Sequence, residues 1–248
     1  MSIHLTLIGI GTGNPEHLTL QAIRAMNAQD LILIPHKGVG KDDLAQLRRD
    51  ICDEVLTNTD THIAEFELPV RDKSTLDYRQ RVDDWHDAIA AVWQGAIDTH
   101  GTARRVALLV WGDPSLYDST LRIAARLDPA PQIEVIPGIT SLQALTAAHA
   151  TVLNEIGAPF IVTTGRRLRD EGWPEGVDTV AVMLDAGGSF DAIDPKGIYI
   201  WWGAYVGMKE QIVIEGPLKE VSAKIKQTRA QARADHGWIM DIYLLRKS

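Results

Sequence analysis

Short apolar runs that alternate with stretches of helical periodicity constrain the fold of this chain most. Ile3–Ile8, Leu31–Ile34 and Val106–Val110 are dominated by Ile, Leu and Val, which is typical of strands buried on both faces of a parallel sheet. Between them, Ser74–Thr99 carries apolar side chains at three-and-four spacing and is predicted to be an amphipathic helix. This alternation predicts an α/β domain with a mostly parallel sheet wrapped by helices.

In the second half of the chain the apolar runs lie closer together. Strands without a helix between them can pair antiparallel, so we expect a second, mixed sheet. The predicted strands of this half are Ile133–Ile136, Phe160–Thr163, Thr179–Leu184, Ile198–Trp202, Gln211–Ile214 and Trp238–Leu245. The whole chain is therefore predicted to form two α/β domains, residues 1–117 and 118–248.

Composition excludes several classes of protein. One cysteine, Cys52, cannot form an internal disulfide. A net charge of −8 argues against a nucleic-acid partner, because such proteins present a basic face. No apolar run approaches the roughly 20 residues of a membrane span, and the start lacks the basic and apolar regions of a signal peptide. The eight histidines are scattered without metal-ligand spacing. We therefore expect a cytoplasmic protein that has no metal site and binds no membrane.

A glycine-rich turn follows the first predicted strand. Gly9-Ile10-Gly11-Thr12-Gly13-Asn14 would expose backbone amides at the start of a helix, where anions bind. The same pattern occurs in NAD(P)-binding oxidoreductases, but Asn14 replaces their third glycine, and Asp30 precedes the second strand instead of ending it. The simpler alternative is that these glycines are present only because the turn is tight, without any ligand.

Two further loops follow predicted strands at the ends where open α/β sheets bind ligands. Gly112-Asp113-Pro114 comes after Val106–Val110, and Pro137-Gly138-Ile139-Thr140-Ser141 comes after Ile133–Ile136. An ordinary Asp-Pro turn and a helix cap at Thr140 are the alternatives that involve no ligand.

Together, the three loops resemble those of the tetrapyrrole methylases. The glycine-rich start with Leu18-Thr19, the Gly-Asp-Pro loop and the Pro-Gly-Ile-Thr-Ser segment match in order and spacing, and Thr179–Asp185 resembles a later strand. The resemblance implies two α/β domains with a ligand cleft between them, a homodimer, and S-adenosylmethionine (SAM) as methyl donor, with S-adenosylhomocysteine as product. It also implies a tetrapyrrole substrate. The implied SAM-binding residues are Gly11, Gly13, Gly112, Asp113, Ser115, Tyr117, Thr140, Ser141, Leu184 and Ala204.

Three segments look most like the deacetylating members of this family, which methylate C1 of precorrin-5 and release its C20 acetyl group as acetate. They are Pro35-His36-Lys37, Trp111–Thr120 and Thr163–Leu168. Acetyl release requires a hydroxide equivalent, and Asp113, Tyr117 and His36 are the candidate catalytic residues. Carboxylates on the substrate require cations, and the candidates are Arg166, Arg167, Arg169 and Lys37. Another methylase of the family, an NAD(P)-linked oxidoreductase and a binding protein without turnover remain alternatives.

Overall fold

The computed structural model describes residues 3–36, 43–72, 74–75 and 77–247. The chain divides into two compact units, Met1–Thr140 and Ser141–Ser248. Two short 3-10 helices lie at Pro15–His17 and Ser189–Ala192. The other elements, in chain order, are β1 (His4–Gly9), α1 (Leu20–Asn27), β2 (Leu31–His36), α2 (Asp43–Val55), β3 (His62–Glu67), α3 (Tyr78–Thr99), β4 (Arg105–Val110), α4 (Thr120–Ala124), β5 (Gln132–Ile136), α5 (Ser141–Ala148), β6 (Phe160–Thr164), α6 (Gly165–Glu171), β7 (Thr179–Met183), β8 (Ile198–Ala204), β9 (Ile212–Pro217), α7 (Leu218–His236) and β10 (Asp241–Lys247).

The first unit contains a parallel five-stranded sheet in the order β3-β2-β4-β1-β5. Strand β2 shows why its sequence is continuously apolar. Leu31 and Leu33 pack into the cluster that contains Trp93 of α3, whereas Ile32 and Ile34 pack into the cluster that contains Met26 of α1. Successive side chains of a strand point to opposite faces, so a sheet covered on both sides needs apolar residues at every position. The prediction of a parallel sheet wrapped by helices is confirmed.

The second unit contains a mixed five-stranded sheet in the order β6-β7-β10-β8-β9. Strands β6 and β7 are parallel, while β10 runs antiparallel to both β7 and β8. Strands β8 and β9 form the antiparallel pair that their close spacing predicted. The core includes Phe190, Trp202 and Tyr243, all of which are buried. The predicted fold class is therefore confirmed for both units.

Three details differ from the sequence prediction. The division falls after Thr140, not after Tyr117, because β5 pairs with β1 along its whole length and so completes the first sheet. Helix α6 was not predicted, since its seven residues are too few to show periodicity. Helix α3 begins later than Ser74, with Asp77 as its cap: the carboxylate accepts hydrogen bonds from two amides of the first turn.

Over the described ranges, no helix combines the length and the apolar character needed to cross a bilayer.

Candidate functional site

The three glycine-containing loops come together at one edge of the first sheet. Strand β1 lies between β4 and β5, and all three run in the same direction, so their carboxyl ends are adjacent. The loops after β1 and β4 are joined by an antiparallel bridge. Gly112 donates its N–H to the carbonyl oxygen of Gly11 at 2.7 Å, and Gly11 donates to that of Gly112 at 3.3 Å. Loops that lie about 100 residues apart in sequence thus form one backbone surface.

Glycine is required where these loops touch. A Cβ atom on Gly138 would lie 2.1 Å from the carbonyl oxygen of Gly112, and one on Gly9 would lie 2.6 Å from the amide nitrogen of Gly138. Both distances are far below van der Waals contact, and the obstructing atoms are backbone. Gly112 also has a φ of +62°, which only glycine adopts without strain. Side chains at these positions would push the loops apart.

Asp113 fastens two of the loops to each other. One carboxylate oxygen accepts hydrogen bonds from the N–H of Ser115 at 2.8 Å and from its hydroxyl at 2.5 Å. The other accepts from the N–H of Gly138 at 2.9 Å. Although partial burial opposes ionisation, the hydrogen bonds from the Ser115 hydroxyl, the Gly138 amide and the Ser115 amide hold the pKa of Asp113 below its ordinary value. The carboxylate is thus well suited to positioning the loops.

The glycine loop after β1 is held by its own side chains. Gly11 and Gly13 have φ values of +70° and +100°. The hydroxyl of Thr12 is hydrogen-bonded to Nδ1 of His17 at 2.8 Å, and the Asn14 side chain accepts from the N–H of Glu16. These contacts fix the turn ahead of α1.

Tyr117 continues this edge of the first unit. It has a φ of +50°, which is strained for a residue with a side chain, and the side chain is 45% exposed. Thr140, in the loop after β5, lies next to Gly112: its Cα would be 3.6 Å from a Cβ on that glycine. Thus Gly11, Gly112, Asp113 and Thr140, all predicted to bind SAM, share one edge.

In the second unit, Leu184 and Ala204 also share an edge. They stand at the carboxyl ends of β7 and β8, and those strands run in the same direction because both are antiparallel to β10. Leu184 is 66% exposed with a φ of +52°, and Ala204 is buried. Strained backbone conformations cluster at binding and active sites, so this turn is a candidate for ligand contact. Ser141 is half-buried and begins α5.

The turn at Leu184 is anchored by Asp185, which the sequence analysis did not single out. Its buried carboxylate accepts hydrogen bonds from the hydroxyl of Tyr243 at 2.6 Å and from the N–H of Ser189 at 2.6 Å, among others. Burial opposes ionisation, but the Tyr243 hydroxyl and the amides of Gly187 and Ser189 lower the pKa of Asp185 overall. An aspartate followed closely by two glycines, after a buried strand, was the available signal.

The predicted substrate-binding cations are only partly described. Arg166, Arg167 and Arg169 lie exposed on α6. Arg167 pairs with Glu171 at 2.7 Å and Arg169 with Asp170 at 2.9 Å. Exposed pairs of this kind exchange readily for a ligand carboxylate, so a role in substrate binding stays a prediction. Lys37 lies outside the described residues.

The predicted catalytic histidine, His36, is the last residue of β2 and is half-buried. It therefore stands at the same edge of the parallel sheet as the glycine loops, two strands away from β1. In the part of the chain that the structure describes, no group of three or more His, Cys, Asp or Glu side chains could hold a metal ion.

The chain is similar in sequence to known methyltransferases that act on tetrapyrroles. The sequence profile of the tetrapyrrole (corrin/porphyrin) methylases matches residues 4–222. A precorrin-6A synthase (deacetylating) from Sinorhizobium sp. is 49% identical over 98% of this chain and 95% of its own length. A precorrin-2 C(20)-methyltransferase from Sinorhizobium sp. is 34% identical over 55% of this chain and 54% of its own length.

Solved structures show the same fold. A cobalamin synthesis related protein (CobF) from Corynebacterium diphtheriae superposes with a TM-score of 0.83 and 38% identity, covering 100% of this chain and 99% of the other. A uroporphyrin-III C-methyl transferase from Thermus thermophilus, complexed with S-adenyl homocysteine, superposes with a TM-score of 0.59 and 19% identity, covering 98% and 97%.

Proposed function

Because this chain belongs to the tetrapyrrole (corrin/porphyrin) methylase family, we propose that it is a SAM-dependent C-methyltransferase of cobalamin biosynthesis. The reaction is methylation of precorrin-5 at C1 with release of the C20 acetyl group as acetate, which gives precorrin-6A. The observation that carries this proposal is the 49% identity to a deacetylating precorrin-6A synthase along 98% of the chain. We further propose that the protein acts as a homodimer in the cytoplasm.

The residues present fit SAM as methyl donor. The first unit offers a backbone surface in which glycines allow the loops to approach closely and the Asp113 carboxylate joins two of them. The second unit offers an exposed apolar side chain, Leu184, on an anchored turn. The groups that would hold SAM are those of Gly11, Gly13, Gly112, Asp113, Ser115, Tyr117, Thr140, Ser141, Leu184 and Ala204. A sulfonium supplies an electrophilic methyl group, so the protein's own contribution is alignment.

Alignment is what the loop geometry supplies. Methyl transfer is an in-line displacement, and fixing the partners in a reactive geometry contributes about 7–11 kcal/mol to lowering a barrier of this kind. The bond from Asp113 to Gly138 and the bridge between Gly11 and Gly112 fix two neighbouring loops against the glycine turn. Neither contact transfers a proton, and the methyl transfer itself requires no proton transfer.

Acetyl release is a separate step. A base accepts one proton from water as its oxygen adds to the acetyl carbonyl carbon. The bond between that carbon and C20 breaks, its electron pair neutralises the methylated macrocycle, and acetic acid leaves and ionises to acetate. Asp113, Tyr117 and His36 are the candidates to assist it. Both oxygens of Asp113 already accept hydrogen bonds and its pKa is lowered. The role of base therefore fits Tyr117 or His36 better, with Asp113 positioning the loops.

The position of Asp30 argues against an NAD(P)-linked oxidoreductase. Asp30 would have to bind a ribose at the carboxyl end of β2. Its carboxylate instead accepts from the N–H groups of Arg104 and Arg105, both at 2.8 Å, at the amino end of that strand.

Calorimetric titration tests the cofactor directly. We expect S-adenosylhomocysteine to bind and NADH not to bind; the reverse would replace the methylase by an oxidoreductase. Incubation with SAM and precorrin-5, followed by mass spectrometry, tests the reaction.

A further inference from the structure

The first unit contains a cavity of about 250 Å³ beside the proposed SAM loops. It lies at the carboxyl ends of β2 and β4, and Tyr117 forms part of its wall. Its apolar lining residues include Phe66, Leu68, Trp85, Ile89, Trp93 and Ile123. Its polar lining residues include Arg48 and Asp118. A tetrapyrrole ring does not fit into this volume, but one of its short side chains does.

Arg48 supplies a buried positive charge to the cavity. The residue is 8% exposed and lies on α2. Its Nε donates to the carbonyl oxygen of Leu109 at 3.0 Å, its Nη1 donates to that of Leu44 at 3.2 Å, and the guanidinium stacks on Trp111 at 4.8 Å. These contacts orient the guanidinium, but none of them carries a negative charge.

Within the described part of the chain, Arg48 forms no direct ion pair, although Asp118 attracts its charge. Among the residues that the structure describes, no carboxylate lies within ion-pairing distance of its guanidinium. Burial lowers the pKa of Arg48 to about 10, so the group is still cationic at neutral pH. A buried cation is costly unless an opposite charge balances it. Asp118 attracts Arg48 but forms no direct ion pair with it among the described residues, so the guanidinium keeps donor capacity for an anion that enters the cavity.

Asp118 is the carboxylate that acts electrostatically on Arg48, but its hydrogen bonds are to Thr120. Its Oδ1 accepts hydrogen bonds from the N–H of Thr120 at 2.6 Å and from the Thr120 hydroxyl. Burial raises the pKa of Asp118, and the nearby charge of Arg48 opposes that rise. The carboxyl therefore holds the loop after Tyr117, while Arg48 and Asp118 both line the cavity.

We propose that this cavity is a subsite for one short aliphatic carboxylate, an acetate or propionate side chain of the tetrapyrrole, and that Arg48 binds it. The inference rests on the proposed function for the identity of the ligand. The apolar wall suits the methylene groups, and a guanidinium fork suits the carboxylate. A side chain seated here holds the macrocycle beside Tyr117 and the methyl-donor loops. Arg48 is thus a specificity-determining residue that the motifs do not reveal.

The direct test is a titration of the full chain, labelled with ¹⁵N, with sodium propionate at constant ionic strength. We expect saturable shifts of the Arg48 Nε–H signal and of the indole N–H signals of Trp93 and Trp111. Neither indole N–H has a hydrogen-bond partner among the described residues. Propionamide has the same shape without the charge and should cause no such shifts. Equal shifts with both compounds, or none with propionate, would overturn the proposal. Because this titration uses the wild-type chain, it tests the proposal even if substitution of Arg48 prevents folding.

The second test separates the substrate side chain from other carboxylates. We expect Arg48→Met to weaken propionate binding and to raise the KM for precorrin-5, each about 10-fold or more. The Kd for S-adenosylhomocysteine should stay within about twofold. The matched control is Arg49→Met, because Arg49 is the next residue of α2 but pairs with Glu65 outside the cavity. An unchanged KM would assign the site to free acetate, and a raised Kd for S-adenosylhomocysteine would assign it to the cofactor; both contradict the proposal.

The outcomes also separate this subsite from the proposed function. If the subsite is wrong, S-adenosylhomocysteine still binds and precorrin-5 is methylated with an unaltered KM in Arg48→Met. If the methylase assignment is wrong, S-adenosylhomocysteine does not bind to the wild-type chain at all.

Discussion

Replacing Asp113 by asparagine tests whether one carboxylate aligns the loops of the site. In the wild-type chain one oxygen accepts from Ser115 and the other accepts from the Gly138 N–H at 2.9 Å. Asparagine can keep only one of these arrangements, because its NH2 group is a donor. If its oxygen keeps Ser115, two donors face each other at Gly138.

The magnitude follows from the bond that is lost. A hydrogen bond to a charged group contributes about 1.5–3 kcal/mol, and partial exposure of Asp113 reduces that to about 1–2 kcal/mol. We expect the free energy of unfolding to fall by this amount in urea titrations. Because the same bond aligns the proposed SAM loops, the Kd for S-adenosylhomocysteine should rise about 10-fold, since a tenfold change corresponds to about 1.4 kcal/mol.

The chain offers a matched control. Asp72 accepts from the N–H and the hydroxyl of Ser74, at 2.8 Å each, so it has the same donors two residues ahead as Asp113 has in Ser115. Among the described residues it is not hydrogen-bonded to a second loop. Asp72→Asn should leave both the urea midpoint and the Kd unchanged. If Asp113→Asn behaves like Asp72→Asn in both assays, the bond between the loops does not align the site.

The same contact has a pH dependence. The folded-state pKa of Asp113 lies below its unfolded value, which is near 3.8. Its stabilisation is therefore fully present above the unfolded pKa and is lost as the pH falls through the folded pKa. The stability difference between wild type and Asp113→Asn should be constant from about pH 5 upward and should shrink below about pH 4. A difference that grows on acidification would refute the assignment.

Three further substitutions probe other parts of the structure. Gly138→Ala should lower the midpoint of thermal unfolding and weaken S-adenosylhomocysteine binding, because its Cβ would lie 2.1 Å from a carbonyl oxygen. The control is Gly95→Ala on α3, where a Cβ meets open space; it should stabilise the chain by about 0.5–1 kcal/mol. Tyr243→Phe should lower the free energy of unfolding by about 1.5–3 kcal/mol in urea, because it removes a hydrogen bond to the buried carboxylate of Asp185, and an unchanged midpoint would contradict this. Arg167→Met should leave the thermal midpoint nearly unchanged, since the pair of Arg167 with Glu171 is exposed. In steady-state kinetics this variant should show a higher KM for precorrin-5, because the arginine is proposed to bind a substrate carboxylate. An unchanged KM would show that Arg167 is not part of the substrate site.

The sequence was sufficient for the two sheets and for the position of each loop. Apolar runs such as Leu31–Ile34 are readable because burial on both faces requires apolar residues at consecutive positions. The glycines after β1, β4 and β5 are readable because each directly follows a strand. Their convergence is not readable, since it depends on the strand order β4-β1-β5, which no local pattern encodes.

What the sequence did not reveal depends on tertiary burial. Arg48 lies in a charged helix and looks like a solvated side chain, yet it is 8% exposed. The sequence analysis predicts no helix directly after β6, but Gly165 starts one there, packed so closely on Asp185 that a Cβ would lie 2.5 Å from its side chain. In both cases a distant contact decides the role of the residue.

The most direct test of the proposed reaction is anaerobic incubation of the purified chain with SAM and precorrin-5, with mass spectrometry of the tetrapyrrole and quantification of free acetate. The account predicts a product that has gained one methyl group and lost its acetyl group, with one equivalent of acetate and one of S-adenosylhomocysteine. Methylation without acetate, or no methylation of precorrin-5, would contradict it.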